Sequence, residues 1–259
     1  MEFVRTLAHP GHASPPAVGA WALECERKPS VIVLENAQDL TPGPPPAATL
    51  FLWCGVPLAE GLDAALSCLS RSERVEISRY HNEADRLSVA VARAVARVQL
   101  GILLSCPPDE VGLVRSAAGK PGVDPGRHGA LASSVHFSVS HARGLVAVGI
   151  SGTTMGIDVE AVRHLTDMRA VARTAFAQEV SQMIAAEGEE GSDALFFRLW
   201  VLGEAFVKGT GQGVSQGLDS FVFTPHGKPR LERVSETWGP PERWTFGMWP
   251  DAERAASEN

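Results

Sequence analysis

The chain has 259 residues, 44% of them hydrophobic, so it can bury a substantial core in one large domain or two small ones. Its formal net charge of -7 argues against a dedicated nucleic-acid-binding protein, because such a protein needs a basic surface to displace counterions from phosphates. The four cysteines are far apart in sequence, which argues against a zinc site or a dense disulfide framework.

These properties favour a protein of the reducing cytoplasm. No apolar run is expected to reach the ~18 to 20 residues that cross a bilayer, and the first residues lack the apolar core of a secretory signal. We therefore expect neither a nucleic-acid partner nor a membrane partner.

Residues 1–47 are rich in Pro, Gly and Ala and end in TPGPPP, a run that sustains neither a helix nor an interior strand. We predict a loosely ordered N-terminal extension over this segment, with one short strand at residues 30–34. The string TLFLWCGV, which begins at Thr49, has the β-branched and aromatic content of a buried strand. Order is therefore expected to begin near Leu50.

Helices and short strands follow in chain order. Ser70 and Glu73 have the spacing of a capping box, which predicts the start of a helix. A longer helix is predicted over 84–104, where one apolar stripe is formed by Leu87, Val91, Val95, Val98 and Ile102. Strands are predicted at 111–115, 135–139, 145–151 and 155–159, a helical stretch over 167–208, broken near 188–192, and a returning strand at 218–223.

This order of elements predicts an α+β fold. A division after Ser151 gives two halves of ordinary domain size. The predicted parts are thus the extension at 1–47, an N-terminal α+β subdomain at 48–151 and a C-terminal α+β subdomain at 152–259.

Two acidic residues in the string MGIDVE are candidates for a metal site. Asp158 and Glu160 are two apart on a predicted strand, so both carboxylates project from the same side and place hard oxygen ligands together. A solvated strand end with unrelated acids explains this hexapeptide equally well.

The predicted helix FFRLWVLGEAFVKGTGQG brings three further side chains to one face. Trp200, Glu204 and Lys208 are four residues apart from one another, so a carboxylate and an ammonium share an edge with an aromatic ring. An ordinary surface ion pair, worth only about 0.3 to 0.5 kcal/mol, is the competing interpretation, and the spacing alone favours it.

Polar residues near turns are weaker candidates. Ser140 and His141 in HFSVSHARG lie at the end of a strand, where polar groups meet ligands, and Lys120 in GKPG lies in a turn. Such residues are more often merely exposed to solvent.

Taken in order, Arg86, the turn Gly119–Lys120–Pro121 and the strings HFSVSH, GIDVE and WVLGEAFVK resemble the 4′-phosphopantetheinyl transferase superfamily, especially its longer monomeric type. The resemblance covers roughly residues 50–225. Its most specific part is GIDVE followed about forty residues later by W-x-x-x-E-A-x-x-K.

The resemblance implies a fold of two similar α+β halves related by a pseudo-twofold axis, with coenzyme A and Mg²⁺, or Mn²⁺ in its place, in the cleft between them. It implies that the metal ligands are Asp158, Glu160 and Glu204. It also implies that Lys208 lies by the pyrophosphate and the leaving group, and that the other coenzyme A contacts are Arg86, Lys120, Ser140 and His141.

The implied reaction is the magnesium-dependent transfer of 4′-phosphopantetheine from coenzyme A to a serine of an apo acyl or peptidyl carrier protein, with release of 3′,5′-ADP. Glu204, or a water held by the metal, is the expected general base. A monomeric enzyme is implied. The alternative is a catalytically weakened relative that binds coenzyme A or a carrier protein without efficient turnover.

The chain departs from the family pattern at two places. Gly203 stands before Glu204, where the family commonly has Lys; a cation is lost, and a glycine inside a helix costs roughly 0.5 to 1 kcal/mol relative to alanine. If the missing ammonium aids catalysis, Gly203→Lys is expected to raise the transfer rate. Near the C-terminus, either WTFGMW is the family's last apolar strand in altered form, or the chain ends short of it.

Overall fold

A computed structural model of the chain describes residues 4–6, 17–24, 30–34, 40–47, 49–142, 144–213 and 217–249. Runs of strands and runs of helices follow one another within them, which confirms the α+β class. The relation of the two halves by a pseudo-twofold axis stays a prediction. So does the division of the chain into subdomains after Ser151.

The helices of the described residues are α1 (Leu62–Ser67), α2 (Arg71–Ile77), α3 (Glu83–Leu104), α4 (Pro125–His128), α5 (Met168–Ala175), α6 (Gln178–Ala186) and α7 (Glu189–Thr210). The strands are β1 (Val4–Thr6), β2 (Ala17–Glu24), β3 (Ser30–Val33), β4 (Thr49–Pro57), β5 (Leu113–Arg115), β6 (Pro121–Val123), β7 (His136–Ala142), β8 (Leu145–Ser151), β9 (Met155–Ala161), β10 (Phe221–Phe223), β11 (Leu231–Val234) and β12 (Trp244–Trp249).

Two sheets organise the protein. In the larger sheet, β4 pairs with β8 on one edge and with β1 and β3 on the other, and β7 extends the sheet beyond β8. The smaller sheet is antiparallel in the order β12, β2, β9. Two separate hairpins are formed by β5 with β6 and by β10 with β11.

Serine hydroxyls join the two sheets where β7 passes β9. Ser138 Oγ accepts the backbone N–H of Ile157 at 3.1 Å, and Ser140 Oγ accepts that of Val159 at 3.3 Å. The inner faces of the sheets bury a common apolar cluster that includes Leu50. The position of β9 is therefore fixed from both of its neighbours, by a backbone ladder to β2 and by side-chain hydrogen bonds to β7.

The two long helices cover these sheets. Helix α3 packs in an apolar cluster with residues of β4, β7 and β8, whereas α7 packs in a second cluster with β2, β10 and β12. Phe206 lies at the centre of the second cluster, with edge-on contacts to the rings of Phe221 and Trp244, each at a centroid distance of 5.1 Å. Each long helix therefore has its own core.

Strand β2 corrects the prediction of a loosely ordered extension at 1–47. It is the middle strand of the smaller sheet, and its register places Ala20 opposite Asp158 and Val18 opposite Glu160. Its small apolar residues Ala20 and Ala22 are fully buried against the core under α7. The predicted strand at 30–34 is confirmed as β3 at residues 30–33.

Local signals for the first helices are confirmed. Ser70 accepts the N–H of Glu73, whose carboxylate in turn accepts the N–H of Ser70, as in a capping box. Asn82 caps α3 by accepting the N–H groups of Ala84 and Asp85. The long helix consequently begins at residue 83, one residue before the predicted start.

Helix α3 also corrects the expectation that no segment is long and apolar enough to cross a membrane. By length and composition it qualifies, and 78% of its most apolar 18-residue window is buried inside the protein. Burial of this extent is that of a core helix.

The boundaries of two other predicted strands differ from those in the structure by a few residues. The strand predicted over 111–115 begins only at Leu113, because a 3₁₀ turn at residues 108–110 precedes it. The segment predicted as a strand over 218–223 begins with a 3₁₀ turn and becomes β10 at Phe221. The string WTFGMW is strand β12.

The central place of β2 can be tested with Ala22→Asp. We expect this variant to lose about 3 kcal/mol or more of its free energy of unfolding, because a buried carboxylate without a partner is costly. Ala47→Asp, at an exposed position of the same Pro- and Ala-rich segment, is the matched control and should change stability by less than about 0.5 kcal/mol. Equal urea unfolding midpoints for the two variants would contradict the placement of β2.

Candidate active site

The candidate site lies where α7 crosses β9. A Cβ built on Gly156 would lie 2.0 Å from the carbonyl oxygen of Ala205 and 2.3 Å from the nitrogen of Gly209. A Cβ on Gly209 would lie 2.9 Å from the ring of Trp244 on β12. The backbones of helix and strand are therefore in direct contact at Gly156, which requires a glycine there, whereas Gly209 leaves room for the ring of Trp244.

The crossing brings Lys208 onto Asp158. The Lys208 ammonium donates to Asp158 Oδ1 at 2.6 Å and to Ser140 Oγ at 3.1 Å, and the Ser140 hydroxyl donates to Asp158 Oδ1 at 2.8 Å. Ser140 also accepts the N–H of Val159, so both the donor and the acceptor capacity of its hydroxyl are used. Three elements, α7, β9 and β7, thus converge on one oxygen of Asp158.

The second carboxylate oxygen of Asp158, Oδ2, is in a different environment from Oδ1. The side chain of Asp158 is almost fully buried, and its Oδ2 has no hydrogen-bond partner within the described residues. A buried carboxylate oxygen without a partner costs free energy, and native proteins seldom leave such an atom unsatisfied. The atom is consequently available to a bound cation or to a donor from a ligand.

Glu160 and Glu204 share the electrostatic environment of Asp158. Loss of solvent raises the pKa of both carboxyl groups, and the negative charge of Asp158 raises each of them further. Arg163, 3.8 Å from Glu160, lowers the pKa of Glu160, the Lys208 ammonium lowers the pKa of both groups, and the charge of Glu204 raises the pKa of Glu160 slightly. This part of the molecule concentrates more negative charge than Lys208 neutralises.

The predicted metal ligands do not form a closed cluster with the side chains as they are placed. Over the described part of the chain, no three side chains of His, Cys, Asp and Glu lie close enough to hold a metal ion. The hard oxygen atoms, the unpartnered Asp158 Oδ2 and the mutual repulsion of the three acids are nevertheless the features that Mg²⁺ satisfies. The assignment of Asp158, Glu160 and Glu204 as ligands stays a prediction.

Two further predicted site residues, His141 on β7 and Arg86 on α3, come from the part of the chain before Ser151. The pKa of His141 is lowered by loss of solvent around its ring and next by the Lys208 ammonium, which places the imidazole beside the cluster. Arg86, in the first turns of α3, has a buried Nε without a hydrogen-bond partner among the described residues. Their predicted contacts with coenzyme A stay predictions.

Lys120 also contacts both α7 and β9, at positions other than Lys208 and Asp158. Its ammonium donates to the carbonyl oxygens of Met155 at 3.0 Å and Gly209 at 2.9 Å, which lie at the start of β9 and in the last turn of α7. Burial lowers the pKa of this amine to about 8, while the carboxylate of Glu24 acts in the opposite direction. The predicted contact of Lys120 with the nucleotide end of coenzyme A is untested.

The packing around position 203 explains why a glycine occurs there, which the sequence alone did not reveal. It is buried, and a Cβ there would lie 2.9 Å from Leu218 Cδ2 and 3.3 Å from the ring of Phe221. A lysine at this position would have to displace both side chains. The structure therefore argues against the expectation that Gly203→Lys raises the transfer rate.

Trp200 packs into the core and not onto the Lys208 cluster. Its ring stacks on Phe196 at a centroid distance of 5.6 Å and meets the edge of Phe176 at 6.0 Å. The spacing of Trp200 with Glu204 and Lys208 thus reflects how α7 is anchored.

The sequence analysis did not identify the glycines at the contact between α7 and β9, although the strings MGIDVE and KGTGQG contain them.

Comparison with protein families gives two matches that together span most of the chain. Residues 53–152 match the model described as 4′-phosphopantetheinyl transferase, N-terminal, and residues 154–257 match the 4′-phosphopantetheinyl transferase superfamily. The first of these segments contains α3 and β7, and the second contains β9 and α7. The polar cluster is therefore composed of residues from both matched segments.

Individual relatives agree with these matches. The chain is 28% identical over 203 residues to the 4′-phosphopantetheinyl transferase HetI of Nostoc sp., covering 75% of this chain and 84% of that protein. It is 32% identical over 169 residues to protein slr0495 of Synechocystis sp., covering 64% of this chain and 65% of that protein. It is 37% identical over 89 residues to the 4′-phosphopantetheinyl transferase psf-1 of Bacillus pumilus, covering 34% and 37%. The chain thus spans less than two thirds of the length of slr0495 and of psf-1.

The helix–strand crossing predicts the effect of Gly156→Ala. The added methyl group must push α7 away from β9, so we expect a loss of about 1 to 3 kcal/mol in the free energy of unfolding. Gly122→Ala is the matched control, because a Cβ at Gly122 meets no atom within 4 Å. Urea unfolding measures both variants, and an equal effect of the two substitutions would rule out the backbone contact.

The lowered pKa of Lys120 predicts a pH dependence of stability. The amine loses its proton near pH 8 in the folded protein, but only near its ordinary value of 10.5 in the unfolded chain. Because the unfolded chain binds more protons between these pH values, the contribution of Lys120 to the free energy of unfolding increases as the pH rises. The titratable groups that face Lys120 are Glu24 on β2 and His136 on β7, and the lowered pKa of His136 keeps its imidazole neutral above pH 7.

This pH dependence can be isolated with Lys120→Met. Between pH 7.5 and 9.5, the wild-type protein should gain up to about 2 kcal/mol of unfolding free energy relative to the variant. Subtraction of the variant removes the titration of other groups. A difference between the two proteins that stays constant with pH would show that the Lys120 amine is not buried.

Proposed function

The chain belongs to the 4′-phosphopantetheinyl transferase superfamily, and we propose that it transfers the 4′-phosphopantetheine arm of coenzyme A to a serine hydroxyl of an apo acyl or peptidyl carrier protein. The leaving group is 3′,5′-ADP. One observation carries the proposal: Lys208, Asp158 and Ser140 are hydrogen-bonded to one another beside two further carboxyl groups with raised pKa values.

Binding of coenzyme A requires cationic and donor groups for a polyanion. Arg86 and His141 are our candidates for its phosphates, together with Ser140 and Lys208, whereas the Lys120 ammonium is already bonded to two protein carbonyls. The unpartnered Nε of Arg86 supports this proposal, because a phosphate oxygen would satisfy it. Lys208 is held at 2.6 Å from Asp158 and lies next to the half-buried acids, where a single ammonium can serve both the protein and a ligand.

Mg²⁺, or Mn²⁺ in its place, would be held by Asp158, Glu160 and Glu204. Bound there, the ion would neutralise charge on the pyrophosphate of coenzyme A and on the departing 3′,5′-ADP. The buried Asp158 Oδ2, which has no hydrogen-bond partner in the part of the chain that the structure describes, supports this placement. Loss of solvent is the main cause of the raised pKa of Glu160 and Glu204, and Asp158 adds a repulsion that a cation would relieve, which supports the placement as well.

The chemical roles of the protein groups follow from their positions. Glu204 lies one helical turn before Lys208 on α7, and its half-buried carboxyl group has a raised pKa, as suits a group that accepts the proton of the attacking serine. Lys208 stabilises negative charge on the leaving phosphate by hydrogen bonding and by its charge. Ser140 holds the Lys208 ammonium and Asp158 in one orientation.

A catalytically weakened relative that binds coenzyme A or a carrier protein is the alternative. The missing cation at Gly203 is the sequence feature that favours it. Since Leu218 and Phe221 pack on Gly203, the residue is explained by local packing and gives no separate argument for lost activity. We propose that the active enzyme is a cytoplasmic monomer with neither nucleic acid nor membrane as a partner.

Mass spectrometry tests the proposed reaction. The protein is incubated with coenzyme A, Mg²⁺ and an apo carrier protein, and the carrier should gain the mass of the phosphopantetheine arm. Asp158→Ala and Glu204→Ala should slow this gain at least about 100-fold. Glu232→Ala, an exposed acid on β11, is the matched control and should react at the wild-type rate.

Two results would count against the proposal. Wild-type rates for both Asp158→Ala and Glu204→Ala would overturn the assignment of the metal ligands. Binding of coenzyme A by the wild-type protein without any gain of mass by the carrier would overturn the transferase activity and favour the weakened relative.

A further inference from the structure

Lys120 makes contacts that a residue devoted to ligand binding does not need. It comes from the turn between β5 and β6, yet its ammonium donates to carbonyl groups of β9 and α7, 35 and 89 residues further along the chain. These two carbonyls belong to Met155 and Gly209. They flank the contact at which Gly156 touches the backbone of α7.

The turn that carries Lys120 is itself well ordered by hydrogen bonds. Ser116 donates its N–H to the carbonyl of Lys120 at 2.9 Å, and Ser116 Oγ accepts the N–H of Lys120 at 3.1 Å. Gly119 has a φ of +86°, a conformation that favours glycine, and it donates its N–H to Ser116. The backbone of Lys120 is therefore fixed from both sides before its side chain reaches across.

The end of α7 is shaped to receive this turn. Gly211, with a φ of +74°, ends the helix, and a Cβ there would lie 3.0 Å from Cδ of Lys120. A Cβ on Gly213 would lie 2.9 Å from the carbonyl oxygen of Ala118. The two glycines leave room for the Lys120 stem and for the turn beneath it.

Electrostatics favours the same contact. The last carbonyl groups of a helix lack intrahelical partners and carry the negative end of the helix dipole, so an amine or ammonium donor there is stabilising. Lys120 supplies this donor to Gly209, directly after Lys208. The second hydrogen bond, to Met155, ties the same nitrogen to the start of the strand that carries Asp158.

We propose that Lys120 is a positioning residue that fixes the end of α7 on β9 and thereby holds Lys208 at Asp158. The proposal rests on the proposed function only in so far as Lys208 serves the transfer reaction. It differs from a role in coenzyme A binding, because it assigns the Lys120 amine to two protein carbonyls and its effect to the turnover step.

Steady-state kinetics separates the two roles. In Lys120→Met, positioning predicts a fall in kcat of at least tenfold, while KM for coenzyme A changes less than threefold. Lys120→Arg retains N–H donors and a cation, and it should recover part of the lost kcat. Lys228→Met, at an exposed lysine in the turn between β10 and β11, is the matched control and should leave both constants unchanged.

Hydrogen exchange gives a readout that does not require activity. In Lys120→Met, the amides of residues 206–211 should exchange at least tenfold faster, while those in the middle of α3 should change less than twofold. If the methionine variant does not fold, Lys120→Gln replaces it: its amide keeps N–H donors on a shorter, uncharged side chain, so exchange at residues 206–211 should still rise above the wild-type rate, but less than after complete loss of the donor. If the wild-type protein transfers no phosphopantetheine, the proposed function fails, and this exchange experiment alone decides the positioning role.

The contrary result is equally clear. Unchanged exchange at residues 206–211, together with a wild-type kcat and a KM for coenzyme A raised tenfold or more, would overturn the proposal. Lys120 would then act on the coenzyme alone.

Discussion

At Gly156 the backbone of β9 touches the backbone of α7 at Ala205 and Gly209, because Gly156 has no side chain to keep them apart. The polar cluster depends on this contact. Lys208 directly precedes Gly209, one of the residues that Gly156 touches, and its ammonium lies 2.6 Å from Asp158 Oδ1. A single methyl group at the crossing would move the ammonium away from its carboxylate without altering any residue of the cluster.

The cluster also depends on how β9 is held. Strand β2 pairs with one edge of β9, and the hydroxyls of Ser138 and Ser140 bond to its backbone from β7. The result is a rigid strand that carries two acids, opposite a helix that carries a third acid and a lysine. Buried charge of one sign is costly, and the raised pKa values of Glu160 and Glu204 record that cost. A site of this kind is suited to a cation and to an anionic ligand that brings the cation with it.

Much of the fold followed from local signals in the sequence. The capping box at Ser70, the apolar stripe of α3 and the alternation in MGIDVE each depend on residues close in the chain, and each predicted an element that the structure contains. Strand β2 was missed because its segment AVGAWALE lies in a Pro- and Gly-rich context, and only pairing with β9 and β12 makes it a strand. The partners of Lys120 and the packing that requires a glycine at 203 could not be predicted from neighbouring residues either. Gly209 lies 89 residues after Lys120, and Leu218, which packs on Gly203, lies outside helix α7.

The contact between helix and strand can be observed directly by NMR. One Hα of Gly156 points in the direction in which a Cβ would lie, on a shorter bond, and the Cβ position lies 2.3 Å from the nitrogen of Gly209. A spectrum of the wild-type protein should therefore show a strong nuclear Overhauser effect between a Gly156 Hα and the amide proton of Gly209. If both resonances are assigned and no such effect is seen, α7 does not lie on β9 at this point, and the account of how Lys208 meets Asp158 is wrong.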